Sequence, residues 1–351
     1  MRHFMFSAFL LFVACSENNS SSTTDSLQSP DRRLGGLRAA SALRPIAKIP
    51  LKEPESLRIV APSGIAVSKG GGFFIADASE GVVHHYNRDG SFVGAIGRRG
   101  DGPGEFRTPA YPSIGPDGRL YVTDLARGHV AVFSSDQRFL RFVAFPTVSR
   151  IDQVAIDPNG RFWILGNSRD RLDDRVLTLA DSSGKAIASF LPIARMLPEG
   201  STDSLLWASS RRPSLAIGDS LVFVVNSIAD SLWAISMTDL TVSSRWLGHP
   251  LYRSPVAPRS PIRSRLEHRK WLESNLLVAN VAATKDAALV GYSRGLYFEN
   301  DFTMASVVYP DRVTHMDSVP PVLGASGQDF VVLRSDDTGR FIITRFTVAD
   351  Q

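Results

Sequence analysis

The chain has 351 residues, 43% of them apolar, 9% aromatic and 21% charged, with 27 Gly, 21 Pro and a single Cys. That apolar share excludes a wholly disordered or collagen-like chain, and one cysteine excludes an internal disulfide framework. Lys and Arg number 39 against 35 Asp and Glu, and a net charge of +4 at this length is far below the charge density of a nucleic-acid binder.

The elements begin with Met1-Arg2-His3, a short basic start, followed by an apolar run from Phe4 to Val13 and then Ala14 and Cys15. Ten helical residues span about 15 Å, half of a bilayer core of roughly 30 Å, so residues 1–14 read as a signal peptide rather than a membrane span. Phe12-Val13-Ala14-Cys15 resembles the lipobox of bacterial lipoproteins, although Phe12 stands where that family prefers Leu. The resemblance implies cleavage before Cys15 and lipidation of its thiol, giving an exported, membrane-anchored protein that faces the periplasm or the cell exterior. An ordinary secretory signal with an incidental Cys is the other reading. Residues 15–40 are expected to form a flexible polar tether; Ser16 to Arg33 reads SENNSSSTTDSLQSPDRR and has almost nothing to bury.

From about residue 44 onward short apolar, β-branched and aromatic runs alternate with Asp-Gly and Asn-Gly turns, the pattern of strands. Gly72-Phe73-Phe74-Ile75-Ala76-Asp77 overlays Arg119-Leu120-Tyr121-Val122-Thr123-Asp124 at an offset of 47. The block from Asp117 to Val122 returns 42 residues later as Asn159-Gly160-Arg161-Phe162-Trp163-Ile164, and a fourth copy shows at Val222 to Asn226. Periods of 40 to 50 holding several strands point to propeller blades, which bury their faces by stacking radially. The strand-end acids Asp77 and Asp124 are placed to accept amide hydrogen bonds. The Gly/Pro-rich block from Gly97 to Phe106 reads as the step from one blade to the next, with Phe106 plugging the seam.

Pro62 to Val67, Phe74 to Asp77 and Gly102-Pro103-Gly104-Glu105-Phe106 resemble the NHL repeat of six-bladed β-propellers. The resemblance implies an all-β, six-bladed propeller over 41–351, with blades near 58–97, 108–146, 151–192, 212–248, 277–310 and 320–348. It also implies an interaction or sensor role. The alternating run Pro45 to Leu51 is expected to pair with Phe341 to Phe346 and close the ring. The strand pattern stops between Leu247 and Asn275; Ser260-Pro261 reads as a cap and Ile262 to Leu277 as a helix, an insertion at about 260–277. Seven of the 26 residues from Arg245 to Lys270 are basic, which gives either a solvated face or a docking surface for an acidic partner or anionic lipid.

The sequence holds no GxSxG, HExxH, phosphate loop or CxxC, and no catalytic residue is assigned. His84 and His85 are adjacent strand residues that point to opposite faces, and like His129 they read as seam or surface histidines rather than metal ligands. Some six-bladed relatives are lactonases or lyases holding axial Ca²⁺ or Zn²⁺. Here the inner-strand starts read as Ser63, Ser113, Asp152-Gln153 and Ser214, a small polar lining poor in ligands, so no metal or cofactor is expected. Just upstream stand Arg107, Tyr111, Arg150, Arg211 and Arg212, which would ring one mouth of the channel and favour an anionic or carboxylate ligand. The other reading of these arginines is ordinary ion pairing with Asp101, Glu105 or Asp152. The chain is thus expected to be a monomeric, extracytoplasmic protein- or ligand-binding module, with a metal-dependent hydrolase or lyase as the alternative.

Overall fold

The computed structural model describes residues 43–348 except 171, 197–213, 254, 256–263, 295–302 and 320–321. The signal, tether and Arg211-Arg212 readings lie outside the described residues. Strand β1 (Leu43–Pro50) belongs to the last blade. Blade 1 is β2 (Pro62–Val67), β3 (Phe73–Asp77), β4 (Val82–Tyr86) and β5 (Phe92–Ile96). Blade 2 is β6 (Pro109–Ile114), β7 (Leu120–Asp124), β8 (His129–Phe133) and β9 (Phe139–Ala144). Blade 3 is β10 (Val148–Ile156), β11 (Phe162–Ser168), β12 (Arg175–Ala180) and β13 (Ala186–Pro192). Blade 4 is β14 (Ser214–Ile217), β15 (Leu221–Asn226), β16 (Ala229–Ser236) and β17 (Val242–Trp246). Blade 5 is β18 (Leu276–Ala283), β19 (Ala288–Arg294), β20 (Thr303–Val308) and β21 (Val313–Val319). Blade 6 is β22 (Gly324–Ser326), β23 (Asp329–Ser335), β24 (Phe341–Val348) and, outermost, β1.

All six sheets are antiparallel meanders, and their first strands touch one another in turn, β2 to β6, β10, β14, β18, β22 and back to β2. The ring is closed, as the repeat predicts. The expected terminal pairing holds too: Leu43 faces Val348 and Pro50 faces Ile342, with a bulge between Pro45 and Ala47. Ring closure then continues into blade 1, where Gly90 (φ +80) lies so close to the Pro50 carbonyl that a Cβ would stand 2.2 Å from its oxygen.

Burial follows the seams. Blades 1 and 2 share Phe74, Ile96, Val122 and Phe133, with Phe106 fully buried among them as its place in the Gly/Pro block predicts. Blades 6 and 1 share Ile75, Tyr86, Val331 and Ile343, and blades 3 and 4 share Trp163, Leu177, Val222 and Trp233. The strand-end acids do more than expected. Asp77 accepts from the amides of Ser79 and Glu80 ahead of it and also from Val60 and Ala61 in the preceding connection. Asp124 takes the amides of Arg107 and Thr108. Blade 3 cannot repeat this, because Gly166 sits where a Cβ would lie 2.0 Å from the Arg150 carbonyl oxygen.

The inserted helix is shorter than the sequence suggests. Helix α1 (Arg265–Ser274) is capped by Ser264, whose hydroxyl accepts the Glu267 N–H at 3.1 Å, a Ser-x-x-Glu start. Leu276 and Leu277 belong to β18 instead: their apolar period imitates one more helical turn, and no Gly or Pro marks the stop. Trp271 and Leu272 bury against Ile228 and Leu277. Ser260 and Pro261 lie outside the described residues.

The two faces of the ring are unequal. On one, the turn face, every connection between described strands is five residues or fewer, from Ser68 to Gly72 through Gly327-Gln328. Four of these turns hold an ion pair of their own, Asp117–Arg119, Asp136–Arg138, Asp157–Arg161 and Asp311–Arg312. The other, the loop face, is where the inner strands begin, and among the described residues it carries the long step at 97–108, the turn Ile193–Met196 and helix α1.

Candidate functional site

Arg107, Tyr111 and Arg150 all lie at the loop-face end of inner strands. Arg107, just ahead of β6, makes a two-pronged contact with Asp101 at 2.6 and 2.7 Å, and its guanidinium holds that carboxyl below the usual range. Arg150, near the start of β10, reaches Asp152 at 2.6 Å. Ion pairing is therefore what these arginines do, with Glu105 taken instead by Arg98 at 2.6 Å. Both side chains remain 58% exposed, so donors still face outward. Tyr111 is half-buried in the bulge between Ala110 and Ser113 with φ +47, a conformation that a bulky residue adopts only where its surroundings impose it.

The polar residues read as axial lining have a different role. Strands β6 and β10 begin at Pro109 and Val148, earlier than expected, so Ser113 and Gln153 sit inside their strands beside bulges. The Ser63 hydroxyl donates to the Pro109 carbonyl of blade 2 at 2.6 Å. The Gln153 amide both donates to and accepts from the backbone of Leu215 in blade 4, at 2.8 and 3.0 Å. Ser214 accepts the Val281 N–H of blade 5 at 3.3 Å, and Asn280 donates to the Val322 carbonyl at the start of blade 6. These side chains stitch neighbouring inner strands together. Gln153→Ala is expected to lower stability by about 1–3 kcal/mol, since both Leu215 backbone groups lose their partner; urea denaturation of wild type and variant measures it, and an unchanged midpoint would count against the stitch.

Among the described residues, no three His, Cys, Asp or Glu side chains group so as to hold a metal ion. His84 is buried with its Nε2 3.5 Å from Asp77, while His85 points the other way, stacks on Phe74 at 4.3 Å and meets Gln137. The alternation of adjacent histidines is as read from the sequence.

Two groups of residues escaped sequence reasoning. Among the described residues, the three most exposed large apolar side chains, Leu172 (95%), Trp246 (76%) and Leu266 (62%), all stand on the loop face, at the β11–β12 turn, the end of β17 and helix α1. A buried network of Asp230, His249, Tyr292 and Ser306 with the half-buried His315 crosses the blade 4–5 seam. Its members are too scattered along the chain for spacing to reveal them.

No helix among the described residues is long and apolar enough to cross a membrane. A Bacteroides fragilis protein whose name marks it as exported has a similar solved structure, at 13% identity and a TM-score of 0.61, covering 90% of this chain and 98% of that one. A DUF4221 member from Bacteroides vulgatus is similar at 10% identity and a TM-score of 0.58, covering 88% and 98%. At such identities the likeness is one of fold. No curated protein matches the chain. The family model described as a 6-bladed beta-propeller, DUF5128, matches residues 16–204, more than half of the chain, and this protein belongs to that family.

Proposed function

We propose that this protein is an extracytoplasmic, lipid-anchored, NHL-like propeller that binds a partner protein or anionic ligand on its loop face. The observation that carries the reading is the concentration there of exposed Leu172, Trp246 and Leu266 together with Arg107, Tyr111 and Arg150. Trp, Tyr and Arg are the residues that dominate binding energy at interfaces, whereas the paired charges of the turn face attract little. The proposal includes Arg211 and Arg212, which the repeat in the sequence aligns with the same mouth.

The anchor is tested in cells. Wild-type protein is expected in the membrane fraction and Cys15→Ala in the soluble fraction; equal partition of the two would remove the lipid from the proposal. For the face, citrate and a poly-glutamate peptide serve as anionic probes in titration calorimetry. A variant with Arg107, Arg150 and Arg212 all changed to Ala is expected to bind at least one probe ten-fold or more weaker, which is about 1.4 kcal/mol. Equal binding by variant and wild type would dispose of the anionic-mouth reading.

A further inference from the structure

The insert after β17 is fastened to the blade 4–5 seam through one buried carboxylate. Asp230 of β16 accepts the Tyr292 O–H at 2.6 Å with one oxygen and the His249 N–H at 2.9 Å with the other, while its carbonyl takes the Leu247 N–H at 3.0 Å. Tyr292 Oη lies 3.1 Å from Ser306 Oγ, which lies 2.9 Å from His315 Nδ1. The proton order of this chain can be worked out. An ionised carboxylate only accepts, so the Tyr292 proton points at Asp230, and burial beside that charge pushes the phenol far above its ordinary range. Tyr292 must then accept from Ser306, and Ser306, its one proton spent, must accept from His315 Nδ1–H.

His249 completes the seam. Its ring is buried, 5.1 Å from that of His315 and 4.7 Å from that of Tyr292. Nδ1 accepts the Leu251 N–H at 3.3 Å, and Nε2 faces the Met316 carbonyl at 3.5 Å. A proton added at Nδ1 would oppose a donor to the Leu251 donor, and two charged imidazoles at this separation would repel in a poorly hydrated site. Facing the two histidines are Asp230 from β16, Tyr292 from β19, Ser306 from β20 and Tyr252 from the insert; Asp230 is the charged member.

We propose that this network is an acid-sensitive latch: near neutral pH it pins Leu247 to Tyr252 onto blade 5, and proton uptake by His249 and His315 releases them. Burial lowers the affinity of His315 for a proton, and the attraction of Asp230 restores only part of it. A histidine whose folded value is depressed gives its full stabilisation above the unfolded value of about 6.5 and loses it as pH falls toward the folded one. Acid therefore loosens this seam rather than tightening it. That release alters binding on the loop face is a corollary that rests on the function proposed above; the latch itself does not.

The experiment is hydrogen exchange on the full chain between pH 7.5 and 5, corrected for intrinsic exchange, comparing Leu247 to Tyr252 with blade 2. For the wild type the opening equilibrium of Leu247 to Tyr252 is expected to rise below about pH 6.5 by up to ten-fold per pH unit for each histidine that takes up a proton, while blade 2 holds steady. His249→Asn with His315→Gln should flatten that dependence. Should the double variant fail to fold, NMR titration of His315 in the wild type decides: a value at or above about 6.5 overturns the latch, as does pH-independent protection of Leu247 to Tyr252. Normal latch behaviour with no probe binding would sink the binding face alone.

Discussion

Deleting Leu43 to Pro50 is expected to abolish the cooperative unfolding transition or to drive the chain into dimers. β1 is the outer strand of blade 6, paired with residues 342–348 of β24, and its departure bares a whole strand edge. It also strips Ile49 from the cluster that joins blades 6 and 1, and frees Gly90 from its contact with Pro50. Blade 6 keeps three strands and its inner contact with blade 1, but losing a full strand ladder and part of the seam is a large share of the roughly 5–15 kcal/mol by which a domain is stable. A bared edge is also a template for a second chain. Size-exclusion chromatography and urea denaturation give the readout, with removal of residues 1–42 as the control that should change neither. A monomer with a wild-type midpoint after deletion of β1 would show that closure is dispensable.

The second large effect lies at Asp77. Its fully buried carboxylate holds four backbone amides from two segments and stands beside His84. Asp77→Ala leaves those donors without an acceptor and is expected to cost about 3 kcal/mol or more, read as a fall in the urea midpoint. The pH dependence has a definite sign. Burial alone would raise this carboxyl, but His84 and the amides outweigh it and hold it below the ordinary value. Its contribution is therefore complete above the unfolded value of about 3.9 and disappears as pH falls through the lower folded value. Wild type and Asp77→Asn should converge in stability only in that acid range. Convergence near neutrality would mean that the carboxylate is not what holds the turn.

Blade architecture was legible because it rests on local chemistry repeated many times. The Asp-Gly turns, the strand-end acids and seam residues such as Phe106 each follow from their own few neighbours. The end of the helix was not, since Leu276 and Leu277 are compatible with helix or strand and only pairing with β19 decides. Ser63, Gln153 and Ser214 were read as polar residues on the inner strands, yet the carbonyls and amides they meet belong to the next blade. Bulges no sequence pattern announces aim some of them there. The arginines illustrate the same gap: the residue types and their face follow from the repeat, while the choice of Asp101 and Asp152 as partners depends on loop geometry.

The pairing of β1 with β24 is also the contact with the longest reach along the chain, tying residue 43 to residue 348. Loop-closure entropy makes such a contact the slowest to form and leaves the nearly finished ring with an exposed gap. Because those two residues already face each other, a few linking residues could join them and new termini could be cut at the Asp117-Gly118 turn. Such a circular permutant would turn the final clasp into an ordinary hairpin and should fold faster while keeping the same disc.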